Sequence, residues 1–180
     1  MKQEGIEMIR TRLNKQAGFT LIEMLIVVLL LGILAMLIIP QISVSTDDAR
    51  LNTLHSNLGS MRNAIELYYH QHNETYPGGN DVNGTATSDA AVSATAFLRQ
   101  LTEYTDINGD AEPIKDLTHI YGPYLKSVTL PTNPYNNSNA VVCDPAEDDI
   151  TARASAGAQG WKFYPQTGVL MANDGGNDTL

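Results

Sequence analysis

Residues 18–40 read GFTLIEMLIVVLLLGILAMLIIP, and the fate of this stretch decides how the rest of the chain is understood. Between Phe19 and Ile39 the only charge is Glu23, and positions 24–39 carry no polar side chain. About 20 apolar residues suffice to cross a hydrocarbon core of about 30 Å, so the run predicts a transmembrane helix. Its flanks orient it. The first 18 residues hold Lys2, Arg10, Arg12 and Lys15 against Glu4 and Glu7, whereas the chain beyond Pro40 is strongly acidic. Basic flanks stay cytoplasmic, which predicts a single pass with the N-terminus inside and the acidic remainder outside.

Three fates are open to such a run. A secretory signal has an apolar core of about 7–15 residues and then a small-x-small cleavage site. Ser43-Val44-Ser45 would serve, giving a mature start at Thr46, but this run is longer and contains an acid. An uncleaved anchor fits the length and orientation and leaves Glu23 without a purpose. The third reading rests on the order Gly18-Phe19-Thr20-Leu21-Ile22-Glu23.

Behind a short basic leader, this hexapeptide resembles the type IV prepilin signal shared by pilins and type II secretion pseudopilins. The glycine, the phenylalanine, the acid and Pro40 all fall where that family has them. The resemblance implies that a prepilin peptidase cuts between Gly18 and Phe19 on the cytoplasmic side and methylates the new amine of Phe19. The apolar segment is then retained. The chemistry of Glu23 agrees: a carboxylate in hydrocarbon costs at least a few kcal/mol and marks a functional position. The new ammonium at Phe19 supplies a partner, either within the chain or on a neighbour. The resemblance implies the second, in which each desolvated ion demands the other and the pair sets the register of a helical filament.

Past Pro40 the pattern turns amphipathic. Leu51, Leu54, Leu58, Met61, Ile65, Tyr68 and His72 recur at steps of three and four, a helical stripe. One helix is predicted from near Thr20 to about His72, roughly 80 Å at the standard rise. Gly32 and Pro40 weaken its ladder and predict a bend or melted stretch around 33–40. The stripe reads as core packing, with a coiled-coil seam as the alternative. Four segments result: a leader at 1–18, a membrane or filament-core half at 19–39, an amphipathic half at 40–76, and a globular part at 77–180.

Within the globular part, Asn73–Ser88 is a breaker-rich loop around Pro77. Ala90–Tyr104 reads as a second helix with Phe97, Leu98 and Leu101 inward, and Thr105–Leu117 as a polar loop. Ala140–Cys143 is a short strand candidate. Gly160–Ala172, with Pro165-Gln166-Thr167-Gly168 at its centre, is a hairpin signal. The fold class is α+β. The phrases YGPYLKSVTLPTNPYN and GWKFYPQTGVLMAN are similar to those of major pseudopilins of the protein G type. That resemblance implies a pilin-like fold, a long helix packed on a small domain with a short antiparallel sheet. It also implies a subunit that self-polymerises into a periplasmic filament of type II secretion at the bacterial inner membrane. Its partners would be the prepilin peptidase, an inner-membrane assembly platform and minor pseudopilins. A type IV pilin for adhesion, motility or DNA uptake is the alternative, and a membrane-anchored binding domain that never polymerises is the second.

Other chemistry is thinly represented. The 180 residues carry 11 basic and 20 acidic side chains for a net charge of -9, which opposes nucleic-acid binding. The single cysteine, Cys143, excludes an intramolecular disulfide, and it lacks the basic neighbours that activate a thiol. His55, His70, His72 and His119 have no zinc spacing, and no catalytic motif appears. Asp106, Asn108 and Asp110 alternate as calcium ligands do, but Ala111 and Leu117 stand where an EF-hand requires Gly and Glu. The pseudopilin resemblance implies calcium in a loop near the C-terminal strands. There this chain reads GVLMANDGGND, with Asp174 and Asp178 in place of the usual acidic run.

Overall fold

The computed structural model describes residues 18–151 and 157–180, with side chains described in all of these except 37–45. The leader call at 1–18 therefore lies, apart from Gly18, outside the described residues. The fold is α+β. Helix α1 spans Leu21–Gln71 and α2 spans Ala90–Thr102. Short strands follow: β1 (Tyr104–Thr105), β2 (Ala111–Glu112), β3 (Val141–Cys143), β4 (Trp161–Tyr164) and β5 (Val169–Ala172). The chain divides into two compact units, Met1–Ser45 and Thr46–Leu180, each with its own contacts.

The first unit holds the apolar part of α1. Every described side chain from Leu21 to Met36 is exposed. Among the described residues no helix is long and apolar enough to cross a membrane. The run described with side chains ends at Met36, about 24 Å of helix against a core of about 30 Å; positions 37–39 of the expected span lie outside it. The helix itself is continuous across Gly32 and Pro40. No melted stretch interrupts it, although one Gly and one Pro cost about 1 and 3 kcal/mol in a helix interior.

In the second unit the helical stripe does what its period demands. Leu54, Leu58, Met61, Ile65, Tyr68 and His72 are buried, and His55 and His70 on the other faces are exposed. Leu54, Leu58, Met61, Ile65 and Tyr68 pack with Phe97 and Leu101 of α2 and with Trp161, Phe163 and Leu170 of the sheet into one core. Each such large side chain contributes about 1.5–3 kcal/mol on burial. Asp89 starts α2 by accepting from the amides of Ala91 and Val92 at 2.9 and 3.0 Å, satisfying donors that have no partner inside the helix.

The hairpin forms as its turn residues require. Trp161 to Tyr164 pair antiparallel with Val169 to Ala172, and Gly168 closes the turn at φ 71°. A Cβ there would lie 2.3 Å from the Tyr76 ring, so glycine is needed for space as well as conformation. The sheet is mixed rather than purely antiparallel: β3 runs parallel to β4. The long connection from Cys143 to Trp161 allows this, because parallel neighbours need a dozen or more residues between them. The segment expected as a plain loop after Thr105 instead carries a two-stranded antiparallel pair, Tyr104 with Glu112 and Thr105 with Ala111. Asp106 makes that turn by accepting from the amides of Asn108 and Asp110 while Gly109 takes φ 89°, turn chemistry that the polar composition concealed.

Candidate assembly site at the start of the long helix

Gly18 and Phe19 precede α1 without regular structure and are exposed, Phe19 at 78%. A Cβ on Gly18 would meet nothing within 4 Å. The fold of this chain therefore does not require glycine there, and any requirement for it must come from something that acts on the segment. Thr20 is the N-cap. Its carbonyl accepts from Met24 at 3.3 Å, and its hydroxyl accepts from the Glu23 amide at 3.3 Å. In return, Glu23 Oε2 accepts from the Thr20 amide at 2.8 Å and from the Thr20 hydroxyl at 2.7 Å. This is a reciprocal capping box. A negative carboxylate at the positive end of the helix dipole adds to it.

The capping box places the Glu23 carboxylate one residue from Phe19, the position at which a cut after Gly18 would expose an amine. The sequence reading brought Glu23 and Phe19 together but missed Thr20. The Thr-x-x-Glu spacing immediately before an apolar run was the available signal. Beyond the cap, Leu21, Met24, Leu25, Val28 and Leu29 line one shallow apolar groove on the helix. Exposures such as 86% at Leu21 and 81% at Met36 show the stretch uncovered among the described residues. Apolar surface of this extent costs free energy in water in proportion to its area.

The other candidates behave differently. Asp106 has donors on both oxygens: Asn108 and Asp110 amides on Oδ1 at 2.8 and 2.9 Å, and the Asn108 side chain on Oδ2 at 3.2 Å. Asp110 faces His119 at 3.5 Å. Asp106, Asn108 and Asp110 are thus a closed turn, not an array of free ligands. Among the described residues no group of three or more His, Cys, Asp or Glu is placed to hold a metal ion. Cys143 is buried, and burial pushes its thiol up to about 12, which removes thiolate nucleophilicity near neutral pH.

One comparison with known proteins falls on the same N-terminal segment. Residues 13–39 match the family described as Prokaryotic N-terminal methylation motif. The chain is 38% identical over 55 residues to the type II secretion system core protein G of Pseudomonas aeruginosa, covering 31% of this chain and 39% of that protein. It is 35% identical over 64 residues to the core protein G of Aeromonas hydrophila, covering 36% of this chain and 44% of that one. It is also 38% identical over 73 residues to a fimbrial protein of Neisseria meningitidis, covering 41% and 42%. The matched stretches thus span about two fifths of these relatives. No solved structure matches the chain.

Proposed function

We propose that this chain is a pseudopilin, a structural subunit that polymerises through its N-terminal helix into a periplasmic filament supporting type II protein secretion. The observation that carries the reading is an apolar helix, Leu21–Met36, exposed on all sides and headed by one capped carboxylate. Such a segment calls for apolar surroundings, either lipid before assembly or copies of itself afterwards. A prepilin peptidase would cut between Gly18 and Phe19 and methylate the Phe19 amine. Segment 19–39 would anchor the subunit in the inner membrane with its N-terminus cytoplasmic, and 40–76 and 77–180 would face the periplasm. In the filament, Glu23 would pair with the Phe19 ammonium of a neighbouring subunit, with flexure of the helix near Gly32 and Pro40 accommodating the packing. An assembly platform and minor pseudopilins would complete the machinery.

A type IV pilin is the second reading, favoured by the similarity to the fimbrial protein. Both readings require the same processing. Intact-mass and N-terminal peptide analysis of the membrane-extracted chain is expected to find a start at Phe19 with one added methyl group. Gly18→Asp should block the cut without unfolding the chain, since nothing packs against Gly18. A mature start at Thr46 would replace the reading with that of a cleaved secretory signal.

A further inference from the structure

The loop after β5 reads Asn173-Asp174-Gly175-Gly176-Asn177-Asp178, and the resemblance to major pseudopilins implies a calcium ion near this place. The residues present do not fit one. Asp174 Oδ1 accepts from the Gly176 amide at 3.0 Å, the Asn177 amide at 2.9 Å and the Asn177 side chain at 3.0 Å. Asp174 Oδ2 accepts from Asn133 Nδ2 at 3.0 Å. Asp178 Oδ1 accepts from the Gly175 amide at 2.9 Å. A calcium ion takes about 6–8 oxygen ligands at about 2.3–2.6 Å. Here both Asp174 oxygens and Asp178 Oδ1 already face N–H groups, whose positive hydrogens occupy directions from which a cation would approach.

Asn133 is the centre of this arrangement. It is wholly buried. Its Nδ2 also donates to the Gly160 carbonyl at 2.9 Å, and its Oδ1 accepts from the Tyr135 amide at 2.9 Å. Its own amide donates to the Ser138 carbonyl at 2.9 Å. A Cβ at Gly160 would lie 2.0 Å from that same Ser138 carbonyl, so the 131–139 loop and the start of β4 are in direct backbone contact here. The side chain is held in one orientation and reaches out to Asp174.

We infer that the buried Asn133 amide takes the part of a cation, holding Asp174 and closing the C-terminal loop independently of calcium. Amide-to-carboxylate bonds are charge-assisted and stronger than neutral ones. Asp81 and Asp106 are also held by N–H donors, but by backbone amides of their own turns: Asn83 and Thr85 at 2.9 and 2.8 Å for Asp81, and Asn108 and Asp110 for Asp106. Burial opposes ionisation of Asp174, and the donors from Asn133, Gly176 and Asn177 outweigh it, leaving this carboxyl below its ordinary range.

The test is thermal unfolding of the full chain in detergent micelles, with a chelator or with millimolar calcium. Because it reads stability and not filament assembly, its outcome is separable from that of the proposed function. The wild-type midpoint is expected to be the same in both conditions. Asn133→Asp sets a second carboxylate against Asp174, so its midpoint is expected to fall in chelator and to recover with calcium. Asp174→Asn removes the charge, and its lowered midpoint is expected to ignore calcium, which keeps a variant result available if Asn133→Asp does not fold. A native-state ion at a hundredfold excess over its Kd would raise the wild-type midpoint on the order of 5–10 °C. Such a rise, or an Asn133→Asp midpoint in chelator equal to that of wild type, would overturn the inference.

Discussion

His72 and His119 are both buried, yet their protonation pulls in opposite directions. His72 sits in the core with its ring stacked on Tyr68 at 3.7 Å. Its Nδ1 donates to the Tyr68 carbonyl at 2.8 Å, which leaves Nε2 to accept from the Thr105 hydroxyl at 2.9 Å. Burial, opposed by that carbonyl and by Asp106, holds its pKa below the ordinary 6.5. The unfolded chain therefore takes up the proton first, and the stability that His72 contributes is lost as pH falls below about 6.5. His119 is raised instead, chiefly by its hydrogen bond to Asp116. Its contribution is complete below about 6.5 and is lost as pH rises through its folded value. Comparing wild type with His72→Gln cancels His119, which both chains share. At pH 7.5 the wild type should be more stable by about 1–3 kcal/mol, the cost of disturbing a buried bonded pair, and the gap measured by urea unfolding should narrow steadily down to pH 5. A gap that widens on acidification would contradict the neutral assignment. The sequence placed His72 correctly on the buried stripe, because period alone does that. It gave no sign of Thr105 as partner, since that contact joins residues 33 apart.

At the scale of elements, α2 is more than a second layer on the core. Its buried Gln100 accepts from the Gly78 amide at 2.7 Å. Its Nε2 donates to the carbonyls of Asn80, Asp81 and Gly109 at 3.2, 3.1 and 2.8 Å. One side chain thus ties together two turns of similar sequence, Asp81-Val82-Asn83-Gly84 and Asp106-Ile107-Asn108-Gly109. The two helices and the hairpin were legible because hydrophobic period and turn residues are local. The strand pair β1–β2 and the tie through Gln100 were not, because a Gln inside an amphipathic helix reads as solvent-facing. Gln100→Ala should leave the Gly78 amide and the Gly109 carbonyl without these partners in the interior. At about 1–3 kcal/mol for each unsatisfied group, the loss should reach about 3 kcal/mol or more in denaturant unfolding. Proteolysis within residues 73–88 should rise in parallel. A loss under about 0.5 kcal/mol, the usual effect of a surface substitution, would mean that the turns stand without it.

At the scale of the whole molecule, an apolar helical run exposed among the described residues belongs to the same chain as a globular part with its own core. The capping box sharpens how that run is to be tested. Glu23→Gln can keep the reciprocal bonds with Thr20, because Gln serves at this position of the box, but it removes the charge. Glu23→Ala removes both. A Phe19 ammonium buried against neighbouring helices without its carboxylate would cost about 3–5 kcal/mol, far more than the roughly 0.5–2 kcal/mol of a helix cap. Neither variant adds charge to the apolar segment, and neither changes a residue of the core formed within 46–180. Expressed with the wild-type assembly machinery, Glu23→Ala and Glu23→Gln should both be membrane-inserted and cleaved at normal levels. Glu23→Ala should yield no sheared filaments, and Glu23→Gln only a small fraction of the wild-type amount. Normal filament yield from Glu23→Ala at normal subunit levels would contradict the pairing and leave Glu23 as a helix cap alone.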